Sequence, residues 1–201
     1  MTDTHRQSPF DVVAIAASAG GLHALHVVVG ALPAGFPAAV LVVQHLLRDR
    51  PSQLADLLNK HAAVHVKEVE QGEPLKLGMV YIAQPDRHFE VAAPGIARLT
   101  QSPAMHYARP SAELLFESVA SLYQCHAIAV VLTGNGKDGS AGVGAIKLHG
   151  GIVIVQDPAD AEYSGMPNAA IDTGCADFIL PLGKIADQLI QLVMPDKHPD
   201  P

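Results

Sequence analysis

The chain has 201 residues, 49% of them hydrophobic, and a formal net charge of -7 at pH 7. That length and apolar content bury one full core, and no linker divides the chain, so a single domain over residues 11–193 is expected between a flexible N-terminus, 1–10, and a flexible tail, 194–201. An acidic surface excludes a broad electrostatic hold on nucleic acid or anionic lipid; no apolar stretch is long enough to cross a bilayer and no leader with a cleavage site is read at the start, so a cytoplasmic protein is expected.

The first strand spans about residues 11–17, where Val12-Val13-Ala14-Ile15-Ala16-Ala17 is continuous, apolar and rich in β-branched residues. Such a run suits a strand covered on both faces, as in a parallel sheet. It stops at Ser18, followed by Ala19, Gly20 and Gly21. Leu22, Leu25, Val28, Val29 and Leu32 then recur at helical spacing and are read as one buried face. Ser18 therefore falls at the carboxyl end of a strand, beside the free N–H groups of a helix start.

Ala39-Val40-Leu41-Val42-Val43-Gln44 forms a second buried-strand run and ends at His45. Pro51 fits a first helical turn, and Leu54, Leu57 and Leu58 give that helix its apolar stripe. A weaker strand follows at 64–69. From Gly72 the texture changes to short strands between short turns: 79–83, 88–91 and 96–100. These are read together as an antiparallel hairpin insert. Residues 110–123 read as a helix, with Glu113 near its positive end. The strand at 127–132 runs into Thr133-Gly134-Asn135-Gly136-Lys137-Asp138-Gly139. A helix to Leu148, a strand at 152–155, a helix at 166–172, a strand at 178–180 and a last helix at 183–193 complete the pattern.

Alternating strands and helices predict an α/β fold: a doubly wound, mostly parallel sheet with helices on both faces and an antiparallel hairpin insert. Ligands of such sheets meet the carboxyl ends of the strands. Ser18, His45 and Asp138 each fall at such an end, on three different strands. A serine hydroxyl becomes nucleophilic when an imidazole takes its proton, and a carboxylate holds that imidazole in one tautomer. The Ala19 N–H, beside Gly20 at the helix start, is the natural oxyanion donor, with a further donor in the 133–136 loop. Read singly, Ser18 is a helix cap, His45 a bonded residue at a strand end, and Asp138 a cap for the helix after Gly139. Their joint placement favours the chemical reading.

The glycine turns lack both G-x-G-x-x-G and G-x-x-x-x-G-K-[ST], which argues against a nucleotide. Cys125 and Cys175 have no CxxC context and read as buried, reduced thiols. By spacing alone His23 and His26 could share a helix side, as could His61 and His65, but none forms an HExxH motif, and no metal is expected.

The blocks Ala-Ser-Ala-Gly-Gly-Leu at 17–22, Val-Val-Gln-His at 42–45, Gly-Met-Val-Tyr-Ile-Ala at 78–83, Asp86-Arg87-His88, Arg-Pro-Ser at 109–111, Leu-Thr-Gly-Asn-Gly-Lys-Asp-Gly at 132–139, Gln156-Asp157 and Gly-Met-Pro at 165–167 resemble the catalytic domain of the CheB chemotaxis methylesterases. The resemblance covers about residues 11–193. Its serine, histidine and aspartate fall on Ser18, His45 and Asp138. It implies a cofactor-free hydrolase that removes methyl esters from glutamates, and deamidates glutamines, on a methyl-accepting chemoreceptor or similar methylated protein.

Family members generally carry a phosphoacceptor receiver domain, and no receiver is read here, which leaves room for a regulatory signalling partner in its place. Ala19 stands where many members have threonine, so a backbone donor survives and a hydroxyl contact does not. Asn135 stands in place of methionine and either donates to an oxyanion or braces its loop. The motifs make Arg109 and Met166 cleft candidates, with a surface ion pair the alternative for Arg109. The competing reading of the whole is an adaptor of the same fold that docks a signalling partner without turnover.

Overall fold

A computed structural model describes residues 10–45, 52–93, 95–105 and 107–195. Its frame is a seven-stranded sheet in the order β3-β4-β2-β1-β7-β8-β9, with every neighbouring pair parallel. The central strands are β1 (Val12–Ala17), β2 (Ala39–Gln44) and β7 (Ala127–Val131), and every residue in all three is buried. Continuous burial accounts for their unbroken apolar sequence, since helices cover both faces of the sheet. The outer strands are β3 (His65–Glu68), β4 (Met79–Ile82), β8 (Ile152–Gln156) and β9 (Phe178–Leu180).

Alternate residues of β1 point into two separate cores. Val13, Ile15 and Ala17 pack with α1 (Gly21–Gly30), α2 (Leu54–Asn59) and α6 (Leu182–Val193). Val12, Ala14 and Ala16 pack with α3 (Ala112–Tyr123), α4 (Ser140–Leu148) and α5 (Gly165–Ile171). The second core also takes Phe89, Val91, Ala97 and Leu99 from the antiparallel hairpin of β5 (His88–Ala93) and β6 (Ile96–Thr100). This hairpin is the insert expected from the sequence, and it lies on α3, where Val91 N–H donates to Ser118 Oγ at 3.0 Å.

Several local expectations change. The segment 79–83 does not join the insert: β4 enters the main sheet between β2 and β3, parallel to both. Val80, Tyr81 and Ile82 are all fully buried, so the run has the burial of a central strand although its flanking turns look like hairpin punctuation. Leu22 leaves the buried face of α1 and is 52% exposed, while Leu57 of α2 is also exposed. Both cysteines are free, but Cys125 is exposed and Cys175 half-buried rather than buried. Pro51 and the ends of both terminal segments lie outside the described residues.

From β1 the chain first builds outward through β2, then returns to lay β7 on β1's other side. The strand order reverses there, the point at which open α/β sheets form their ligand crevice, outside the carboxyl ends of the strands.

Candidate active site

Register sets the three candidate residues around that crevice. Ala17 pairs with Gln44, and the His45 N–H donates to Ala17 O at 3.1 Å, so Ser18 and His45 leave adjacent strands side by side. On the other side Ser18 N–H donates to Thr133 O at 3.0 Å, which ties it to the loop that carries Asp138.

His45 Nε2 lies 2.8 Å from Asp138 Oδ2. With Nε2–H donating to the carboxylate, the lone pair of a neutral ring sits on Nδ1. Asp138 is 4% exposed and bonded on both oxygens. Ser111 Oγ donates to Oδ1 at 2.6 Å, Ala112 N–H to Oδ2 at 2.6 Å, and Glu113 N–H to Oδ1 at 3.4 Å. Burial alone would push this carboxyl up; the His45, Ser111 and Ala112 bonds outweigh it and hold the group below its ordinary value. The carboxylate stays charged, as a partner for an imidazolium must.

Asp138 therefore does not cap α4, the helix that follows it. Its hydrogen bonds go to the start of α3, and Gly139 stands at the head of α4 with no side chain of its own to offer. Sequence reasoning missed Ser111 as a ligand of Asp138 because the two lie 27 positions apart. The signal available was Ser111 itself, an N-cap residue before an apolar helix.

The turn after Ser18 is held from three directions. Gln44 Nε2 donates to Ser18 O at 2.7 Å and to His45 O at 3.1 Å, clamping both strand ends. Thr133 Oγ1 donates to Ala19 O at 3.0 Å and accepts from Tyr163 N–H at 2.9 Å, so one hydroxyl joins three loops. Gln156 Oε1 in turn accepts Thr133 N–H at 2.8 Å. Gly134 fits a gap that no side chain could share: a Cβ there would stand 2.4 Å from Met166 Sδ and 2.7 Å from Ser18 Cβ. Met166 is fully buried and forms the floor behind the serine.

Among the described residues, neither the Ala19 nor the Gly20 N–H donates a hydrogen bond, nor does that of Asn135 or Gly136. Thr133 and Gly134 N–H are taken by Gln156 and Tyr163. Gly20, at a φ of 75°, is the N-cap of α1 and brings no side-chain cap, so that positive helix end stays open. The Asn135 side chain is exposed and makes no hydrogen bond among the described residues; the bracing of its loop falls to Thr133. Arg109 is half-buried, with Nε and Nη2 on Asp86 Oδ1 at 2.9 and 2.7 Å and Nη1 on the Gln101 and Ser102 carbonyls. It ties the segment before α3 to the turn between β4 and β5. No hydrogen bond joins Ser18 Oγ to His45 among the described residues, and such contacts commonly close only around substrate. No cluster of three or more ligating side chains suited to a metal ion occurs among them either. No described helix is long and apolar enough to cross a membrane.

Fold and edge together define a doubly wound α/β domain with a serine beside a hydrogen-bonded histidine and aspartate at its topological crevice. The chain belongs to the CheB methylesterase family, whose model matches residues 13–189. It is 38% identical over 183 residues to the protein-glutamate methylesterase/protein-glutamine glutaminase of Clostridium acetobutylicum, covering 91% of this chain and 53% of that protein. A Cupriavidus pinatubonensis protein of the same description, numbered 1, is 42% identical over 180 residues, 90% of this chain and 53% of its own. The chain thus spans about half the length of these relatives, whereas a Leptospira interrogans relative, 34% identical, is covered over 95% of its length. The crystal structure of the Thermotoga maritima CheB methylesterase catalytic domain superposes with a TM-score of 0.88 at 38% identity, over 92% of this chain and 99% of that one.

Proposed function

We propose that this chain is a serine hydrolase that converts glutamyl γ-methyl esters to glutamates, and selected glutamines to glutamates, on a methyl-accepting chemoreceptor or similar methylated signalling protein. The observation that carries the reading is the His45–Asp138 hydrogen bond of 2.8 Å beside Ser18 at the crevice. The names of the relatives support the substrate class.

In this reading His45 Nδ1 takes the Ser18 proton as Oγ adds to the γ-carbonyl. Asp138 fixes the ring and stabilises the imidazolium. The new oxyanion turns to the open N–H of Ala19 or Gly20, with Asn135 or Gly136 opposite. Collapse expels methoxide, which leaves as methanol with the proton from His45, or ammonia from a glutamine. Water, deprotonated by His45, then cleaves the acyl-enzyme and restores Ser18. Each cycle turns a neutral side chain into a carboxylate, and the residues of the edge supply every proton movement.

Methanol release from a methylated receptor fragment tests the assignment. Wild type should release methanol and Ser18→Ala should not; equal release by both would end it.

A further inference from the structure

We propose that Glu113 is the positioning residue of the His45–Asp138 pair, acting through an exchange of carboxylate caps between α3 and α4. The inference rests on the hydrolase reading above and extends it to a residue outside the reacting atoms.

The exchange is visible in the hydrogen bonds. Asp138 precedes α4 yet takes the N–H groups of Ala112 and Glu113 at the start of α3. Glu113, in the first turn of α3, sends Oε2 to the Gly139 N–H at the head of α4, at 3.1 Å. Each helix start is thus closed by a carboxylate from the other segment. A helix end attracts negative charge within its first turn, so both carboxylates sit where the two backbones favour them.

Packing leaves the arrangement no slack. A Cβ on Gly139 would stand 3.2 Å from Ala112 Cβ and Phe116 Cε2, and one on Gly142 would stand 2.7 Å from Phe116 Cβ. The two helices meet backbone to side chain at their first turns, and Glu113 is 2% exposed. The catalytic carboxylate is therefore located by α3, and α3 is fastened to the Asp138 loop by Glu113. Burial, then the neighbouring Asp138, pushes the Glu113 carboxyl up, while Asp138 is held down. The two environments thus push the neighbouring carboxyls apart, and the one that faces His45 is the more readily ionised.

The test compares Glu113→Ala, Glu113→Gln and Val119→Ala in the full chain. Val119 is a fully buried α3 residue away from the exchange, and its truncation controls for loss of stability alone. Glu113→Ala should lower kcat about 100-fold with KM unchanged, the cost of a small misplacement at a reacting centre. Glu113→Gln keeps an acceptor for Gly139 and should stay within about threefold of wild type. By proton NMR, the hydrogen-bonded His45 Nε2–H should be resolved in wild type and Glu113→Gln and lost in Glu113→Ala.

Should Glu113→Ala not fold, Glu113→Asp withdraws the cap by one methylene and should lower kcat about tenfold with KM unchanged. Wild-type kcat and an intact resonance in Glu113→Ala, or in Glu113→Asp where that stands in, would overturn the proposal. A kcat loss in Val119→Ala equal to that of Glu113→Ala would overturn it as well. If wild type and Ser18→Ala turn over alike, the hydrolase reading fails instead, and the NMR comparison still decides what Glu113 does to the pair.

Discussion

The starts of α1 and α3 lie at the same edge of the molecule and are finished in opposite ways. At α3, Ser111 and Asp138 occupy the leading N–H groups, and the carboxylate among them is buried. At α1, Gly20 offers no side chain, and the Ala19 and Gly20 N–H groups donate nothing among the described residues. A helix start carries about half a positive charge whichever way it is finished. One start holds a permanent anion bonded to His45; the other stays open beside Ser18, where the proposed mechanism places an anion that forms only during reaction. An edge that capped both would be stable and inert.

Breaking the open side should have the largest effect. Ser18→Ala should cost about 10^4-fold or more in kcat, read by methanol release, because triad members act as a unit. Its thermal stability should barely change, since the Ser18 contacts to Gln44 and Thr133 run through the backbone.

Breaking the closed side comes next. Asp138→Asn should cost about 10^3- to 10^4-fold by upsetting the His45 tautomer. Asp138 also makes the fold depend on pH. Its folded value lies below that of an unfolded aspartate, so its stabilisation is complete above the unfolded value and is lost as pH falls through the folded one. Urea unfolding should show a stability gap between wild type and Asp138→Asn that narrows from pH 7 to about pH 3; a gap constant across that range would contradict the assignment. Glu113 runs the other way: its raised carboxyl favours the fold below the unfolded value and loses that advantage as pH rises through the folded one.

Gly134→Ala sharpens the comparison from beneath. The new methyl would overlap Met166 Sδ and Ser18 Cβ, so stability should fall about 1–3 kcal/mol and kcat should fall with it. A variant with wild-type melting temperature and turnover would show that the floor yields. The smallest effect belongs far from both helix starts. Arg98 pairs with Glu90 on the hairpin and is itself half exposed, so Arg98→Ala should change stability by less than about 0.5 kcal/mol and leave kcat alone.

Much of this was legible in the sequence for a simple reason: β1, β2 and β7 are buried on both faces, so their apolar runs are unbroken and their ends unmistakable. Ser18, His45 and Asp138 each follow directly on a strand or its short loop, which is why three positions remote in sequence could be placed at one edge. The position of β4 was not legible. A short buried strand between turns looks alike whether it pairs with its neighbour in sequence or enters a parallel sheet, and only the partner strands decide. Asp138's true partners were hidden too, because a residue just before a helix reads as that helix's cap until the fold brings another helix start closer. Arg109 shows the same limit: its tie to Asp86 spans 23 positions and has no local pattern.

Site-mapped labelling with an organophosphonate probes the central claim most directly, because the reagent needs an activated serine and no knowledge of the receptor. Wild type should take up one equivalent on Ser18, at a rate that falls sharply in His45→Ala and Asp138→Asn. An adduct elsewhere, no adduct, or equal labelling in all three proteins would contradict the account.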